Sequence, residues 1–264
     1  MKTVLVIAGY DPSGGAGVLA DIKTLAAFGC YGAAAVTSLT YQNTTGVFGA
    51  SDASGHVLES QLRPIVDDFT IAAVKTGMLP HADAINTAAT VISDLGNVPV
   101  VVDPVVRSTS GYDLISDDAL AALVTGLFPR ATVVTPNVVE AERIVGFPVQ
   151  SAADMERAAR RLVELGAHAA LVTGGHLDLD GLAVDVLFDG NGMHTFSDRR
   201  VDSTSTHGTG CTLASAIAAG LALDRPLPVA VAAAKTYVTT AIRSAPGLGA
   251  GHGPLDHFPF LEKP

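Results

Sequence analysis

At 264 residues the chain is long enough to bury a large core without a disulfide framework or a structural metal. Hydrophobic residues make up 48% and charged residues 16%, which excludes a disordered chain. Lys and Arg number 16 against 26 Asp and Glu, a formal net charge of −10 with no basic tract, which argues against nucleic acid or an anionic membrane as a partner. A phosphate site must then be built locally, from backbone N–H groups and a metal. Cys30 and Cys211 are the two cysteines; without a CxxC pair they exclude a cysteine zinc site and fit a reducing compartment. No apolar run reaches the ~20 residues of a membrane span, and the N-terminal one is too short for a signal-peptide core. A soluble, cytoplasmic protein is expected.

In chain order, Thr3–Ala8 is the first expected strand. It runs into Gly9-Tyr10-Asp11-Pro12-Ser13-Gly14-Gly15-Ala16-Gly17 and a helix carrying Asp21. Glycines let backbone approach a ligand, and N–H groups at a helix start point outward. Taken alone the segment is equally a tight strand–helix turn, and it matches neither GxGxxG nor a P-loop. Ala33–Ser38 is the next strand, and Tyr41–Ala50 reads as a flap turning at Thr44-Thr45-Gly46. Ile71–Lys75 and Val98–Asp103 follow, each ending in a polar or glycine-containing turn. Asp103 is a candidate ligand or a loop cap.

Ala131–Thr135 precedes Pro136-Asn137-Val138-Val139-Glu140, where Pro136 marks a helix start and the spacing puts Asn137 and Glu140 on one face. An amide and a carboxylate there suit a hydrated Mg²⁺, which takes few direct protein ligands. The plain alternative is an ordinary first turn with a dipole-friendly Glu. Ser151 and Gly166 bracket a helix with Ala158, Leu162 and Leu165 on one face and Asp154 placed as a capping-box partner. Ala169–Thr173 leads to Gly174-Gly175-His176, and Val184–Phe188 is a further strand. Ser205-Thr206-His207-Gly208-Thr209-Gly210-Cys211-Thr212 then opens the apolar helix Leu213–Leu223, which reads as a buried core helix. Its glycines allow an anion nest at a positive helix end, which also lowers a thiol pKa from ~8.5 toward neutrality. The Pro/Gly-rich tail from Pro246 to Pro264 is expected on the surface.

Strand and helix alternate throughout, and several strands are continuously apolar. This argues for one α/β domain over residues 1–264, with a mostly parallel sheet and helices on both faces. Ligands in such sheets sit beyond the carboxyl ends of the strands.

Seven motifs occur in order. They are Gly9 to Gly17 with Asp21, Gln42-Asn43-Thr44, Lys75 to Leu79, Val102-Asp103-Pro104-Val105, Thr135-Pro136-Asn137 with Glu140, Gly174-Gly175-His176, and Thr206 to Thr212. Together they closely resemble the hydroxymethylpyrimidine/phosphomethylpyrimidine kinases of thiamine biosynthesis, over nearly the whole chain. The resemblance implies a ribokinase-like three-layer α/β/α sandwich, a homodimer, and ATP with Mg²⁺ as cofactors, a monovalent cation being a further ion to test. It implies phosphorylation of 4-amino-5-hydroxymethyl-2-methylpyrimidine and then of its monophosphate. By carry-over, Gly9, Ala16, Asp21, Gln42, Met78 and Val105 line the pyrimidine pocket. Gly208, Thr209 and Gly210 form the anion hole, and Cys211 is the base or the group that orients the substrate hydroxyl. Asp103 and Glu140 organise Mg²⁺, while Thr135, Asn137, Thr173, Gly175, His176 and Lys235 attend the nucleotide, flanked by the Gly-rich tail.

Thr173 stands where many relatives carry Lys, and Val105-Val106-Arg107 where they often carry Met and Lys. Arg107 and Lys235 are the candidate replacements for the missing charge. A pyridoxal kinase is the alternative activity, and a non-catalytic sensor of a vitamin precursor is a third reading. Cys211 speaks against the former and the intact anion loop against the latter.

Overall fold

The computed structural model describes residues 1–106, 115–177 and 179–261. In the first strand, β1 (Thr3–Tyr10), Val4, Val6 and Ala8 enter one core and Leu5 and Ile7 the other. A two-residue side-chain period gives this division to any strand covered on both faces. In chain order follow α1 (Gly17–Ala27), β2 (Tyr31–Asn43), β3 (Gly46–Asp52), α2 (Gly55–Asp68), β4 (Ile71–Thr76), α3 (Ala82–Asp94), β5 (Val100–Val102) and α4 (Asp117–Ala122). Then come β6 (Val133–Val134), α5 (Val138–Val145), α6 (Ala152–Glu164), β7 (Ala170–Thr173), β8 (Leu182–Phe188), β9 (Met193–Arg199), α7 (Thr209–Ala222) and α8 (Leu227–Arg243).

Among the described residues nine strands form one sheet in the order β3-β2-β1-β4-β5-β6-β7-β8-β9. The six from β2 to β7 are parallel, and β3, β8 and β9 are antiparallel additions at the two ends. Residues of α2 to α6 pack on one face, and residues of α1, α7 and α8 on the other. The expected α/β/α sandwich is thus present. α7 is buried from Thr212 to Ala222, as its uniformly apolar sequence requires. Ser151 caps α6 through the Asp154 N–H, and the Asp154 carboxylate accepts from the Ser151 hydroxyl and the Gln150 N–H.

Three expectations change. β5 and β6 hold three and two residues, because the ends of their apolar runs turn into the loops beyond the sheet. β3 and β9 were not expected: each has one exposed face, so its sequence is half polar. The supposed flap is accordingly a hairpin of β2 and β3, with Asn43 Oδ1 accepting from the Thr45 N–H and hydroxyl at its tip. The tail does more than lie on the surface. Leu255 and His257 are buried, the Tyr237 hydroxyl donates to the His257 carbonyl at 2.6 Å, and the His207 N–H donates to the Gly253 carbonyl. No helix among the described residues is long and apolar enough to cross a membrane.

Candidate active site

The carboxyl ends of the parallel strands open into a cleft of about 1580 Å³. The turns after β1, β4, β5, β6 and β7 all line it, together with Gln42 from the hairpin and the start of α7. The first turn is built around Asp11. Its carboxylate accepts from the Ser13 N–H (2.8 Å), the Ser13 hydroxyl (2.9 Å) and the Ala16 N–H (2.9 Å), and it meets His207 Nε2 at 2.7 Å. Burial pushes the Asp11 carboxyl up, but the hydrogen bonds from His207 and Ser13 outweigh it and hold it below the usual value. This bridge ties the first glycine turn to the anion loop. Both loops need their glycines: at Gly17 (φ +57°) a Cβ would run into the Gly9 carbonyl, and at Gly208 (φ +79°) into the Gly15 carbonyl.

Gly208 is the N-cap of α7, so Thr209, Gly210 and Cys211 form its first turn, facing the cleft. Cys211 accepts a hydrogen bond from the Gly17 N–H. The expectation of a lowered thiol pKa is not met. Burial is the largest influence, and with Asp21 and Asp103 nearby it pushes the thiol up to about 12 although Lys75 opposes it. Desolvation here exceeds the effect of a helix terminus.

Asp21 does not line the pocket, contrary to expectation. It is fully buried beneath it, bonded to Lys75 Nζ (2.9 and 3.0 Å) and to the Ser215 hydroxyl (2.7 Å). Lys75 is also fully buried; burial pushes its ammonium down, but Asp21 leads the opposing charges and holds it above its ordinary value. The ion pair ties α1, β4 and α7 together directly below the anion loop. Sequence reasoning quoted Lys75 within a motif but gave it no role, although a charge closing the apolar run Ile71-Ala72-Ala73-Val74 was the signal. It likewise gave no separate role to Asp11, whose Asp-Pro-Ser pattern is a turn signature, or to His207.

The other expected pocket residues do reach the cleft. Gln42 Nε2 donates to Thr40 Oγ1 at 2.7 Å, and that hydroxyl donates to the Tyr10 carbonyl, which fixes the amide on the wall. Met78 packs near Gly9, and Val105 and Ala16 stand on the same wall. Beyond the ends of β5 to β7, away from β1 in the sheet, the cleft is lined by Asp103, Thr135, Asn137, Glu140, Thr173, Gly175 and His176, and by Lys235 of α8. His176 is held below its ordinary pKa by burial and then by Arg200. Arg107 lies outside the described residues. Of the Gly-rich tail only His252 lines the cleft, and its backbone N–H donates to the Thr44 carbonyl at the hairpin tip.

Asn137 and Glu140 form a capping box. Asn137 Oδ1 accepts from the Val139 and Glu140 N–H groups, while Glu140 accepts from the Asn137 N–H (2.9 Å) and the Val106 N–H (3.3 Å). The plain alternative is therefore present, since the pair starts α5, and both residues also line the cleft. Burial pushes Asp103 up to about 6, and burial followed by the Asp103 charge pushes Glu140 up to about 8. The hydroxyl of Thr135, on the same wall, is buried without a hydrogen-bond partner. Two mutually repelling buried carboxyls and an unpaired hydroxyl are a donor set that a hard divalent cation satisfies. Among the described residues no group of three or more His, Cys, Asp or Glu could hold a metal.

A glycine loop at a helix start and two buried acids thus meet at the carboxyl edge of a mostly parallel sheet, and the fold is that of the ribokinase-like kinases. A Bacillus subtilis pyridoxal kinase, solved as an ADP complex, superimposes with a TM-score of 0.90 at 36% identity, covering 97% of both chains. The family model described as phosphomethylpyrimidine kinase matches residues 11–256, and the chain belongs to that family. A hydroxymethylpyrimidine/phosphomethylpyrimidine kinase of Streptomyces coelicolor is 46% identical over 254 residues, 96% of this chain and 93% of that protein. A thiamine biosynthesis bifunctional protein ThiED of Geobacter sulfurreducens is 47% identical over 255 residues, and the chain spans 52% of its length.

Proposed function

We propose that the protein uses ATP to phosphorylate 4-amino-5-hydroxymethyl-2-methylpyrimidine, and then its monophosphate to the diphosphate. The observation that carries this reading is that Gly208 to Cys211 line one cleft with two unlike groups of residues, Gly208 lying against the Gly15 carbonyl and Gly210 near the Asp103 carboxylate. One wall presents an amide and apolar groups, Gln42, Met78 and Val105. The Gln42 amide complements the donor–acceptor edge of an aminopyrimidine, and Met78 and Val105 cover the ring. The other wall presents Asp103, Glu140 and the turn from Thr173 to His176, and takes the nucleotide. The two curated relatives above support this substrate over pyridoxal. The B. subtilis pyridoxal kinase supports pyridoxal as a second activity.

In the first transfer the substrate hydroxyl oxygen attacks the γ-phosphorus, the bond to the ADP oxygen breaks, and the hydroxyl proton passes to a transferring phosphoryl oxygen or to water; in the second, an anionic oxygen of the substrate monophosphate is the nucleophile and ADP again leaves. A loose transition state needs little early deprotonation. Cys211, a thiol in the free site, therefore acts mainly by orienting the hydroxyl. The Gly208–Gly210 backbone stabilises charge that develops on the transferring group. Asp103 and Glu140, the latter through water, would hold Mg²⁺, which when bound offsets phosphate charge. Replacing Cys211 by Ala tests this: turnover falls at least about 100-fold while pyrimidine binding, measured by calorimetry, is largely kept. Unchanged turnover removes Cys211 from the reaction.

The single domain covers residues 1–264, and the two free cysteines fit a reducing cytoplasm. The protein works as a homodimer, a reading supported by Leu39, Tyr41 and Phe48 on the hairpin, which are 52%, 54% and 71% exposed. Light scattering on a Phe48→Glu variant, showing a monomer, would bear it out.

A further inference from the structure

β8 carries a buried carboxylate that neither its sheet position nor its core requires. Asp185 lies between Val184 and Val186, is 4% exposed, and stands on the nucleotide wall of the cleft. Its two oxygens hold two different elements. Oδ1 accepts from the Gly174 N–H at 3.1 Å, in the turn after β7, and Oδ2 accepts from Lys235 Nζ at 2.8 Å, on α8. Burying a carboxylate and an ammonium costs desolvation that their attraction only partly returns, and apolar residues of similar volume commonly serve stability as well. The pair is therefore not explained by holding the fold.

We propose that Asp185 is a positioning residue for the nucleotide phosphates, acting through Lys235 and the Gly174 turn; this rests on reading that wall as the nucleotide side. A lysine ammonium is a point charge on a flexible stem with three donors. Asp185 takes one of them and fixes the stem, so the others face anionic oxygens at no further ordering cost. Its second oxygen fixes the glycine turn on the other side of the same phosphates. Gly174 has no room for a side chain, because a Cβ there would run into the Val184 carbonyl and Met155, and its N–H is shared between Asp185 and the Val184 carbonyl at 2.9 Å. Of the arginines that line the cleft, Arg143 bonds Asp117 and the Ile115 carbonyl, Arg200 bonds the Leu177 carbonyl, and Arg199 lies at the end of β9. With threonine at 173, Lys235 is the ammonium this wall offers, so its aim matters more.

The test uses steady-state kinetics on Asp185→Asn, Lys235→Met and the double variant, with thermal midpoints alongside. Asp185→Asn keeps an acceptor for Gly174 and loses the negative charge that faces Lys235. It raises the KM for ATP about tenfold, leaves the KM for the pyrimidine within about twofold, and shifts the thermal midpoint by only a few degrees. The double variant is no worse for ATP than Lys235→Met alone, because the two act as one unit. An ATP KM that is unchanged or lowered in Asp185→Asn, or equal rises in both KM values, overturns the inference. If Lys235→Met leaves the ATP KM unchanged, the nucleotide reading of this wall fails as well. If Lys235→Met raises it and Asp185→Asn does not, only the role of Asp185 falls.

Discussion

Cys211 shows how burial overrides a local electrostatic rule. Its helix-start position argues for a reactive thiolate, yet burial among Asp21 and Asp103 pushes it up to about 12. Iodoacetamide should therefore alkylate Cys211 more slowly than a free thiol at pH 8, with a rate still rising above pH 9; fast alkylation near pH 7 would contradict this. The ion pair beneath it makes a second residue-scale prediction. Lys75→Met leaves Asp21 buried without its partner charge and costs about 3–5 kcal/mol in chemical denaturation. Adding Asp21→Leu recovers most of that loss. If both variants are equally unstable, the pair is not what matters there. These residues also mark the limit of reading the chain alone. The motifs were visible as motifs, but depth was not: Asp21 sits one helical turn beyond Gly17, in the glycine motif, and points down into the core instead of into the cleft. Lys75 was hidden because sequence pattern does not show which partner waits across the sheet.

At the scale of elements, the hairpin and the tail are fastened together. The Gly251 and His252 N–H groups bond Thr44, and a Cβ at Gly251 would run into the Thr44 backbone. Gly251→Val should loosen the hairpin tip, raising the pyrimidine KM several-fold through Gln42 and deprotecting residues 41–50 in hydrogen exchange. No change in either would detach the tail from the site. The same tail carries a pH effect. Burial, followed by Lys23, pushes His257 down to about 4, so the folded state holds it neutral while the unfolded chain binds a proton below about 6.5. Stability is complete above that value and falls by about 2–3 kcal/mol as pH drops from about 6.5 to 4. A His257→Gln variant flattens this slope in urea melts across that window; an unaltered slope would assign it to other groups. Elements buried on both faces were legible as continuous apolar runs, and α6 was legible from its caps. The edge strands β3 and β9 were not, because one face of each is exposed and their alternation is weak.

For the molecule as a whole, one physical fact organises the rest: a parallel sheet presents all its carboxyl ends on one edge, and the chain spends its chemistry there. In the proposed function an acidic protein of net charge −10 takes phosphates at a helix start with two glycine loops and buried acids beside it. The sequence showed which turns would meet, since the alternation of strand and helix dictates it. It did not show the bridges between them, such as Asp11 to His207 and Asp185 to Lys235, which join residues 196 and 50 positions apart. The account's central claim is a two-step pyrimidine kinase, and the second step meets most resistance, because Thr173 adds no charge against a phosphorylated substrate. The direct measurement is ADP release by purified protein with ATP and Mg²⁺, offered hydroxymethylpyrimidine, its monophosphate and pyridoxal separately. The account predicts turnover of both pyrimidines. Turnover of pyridoxal alone, or of hydroxymethylpyrimidine without its monophosphate, would contradict it.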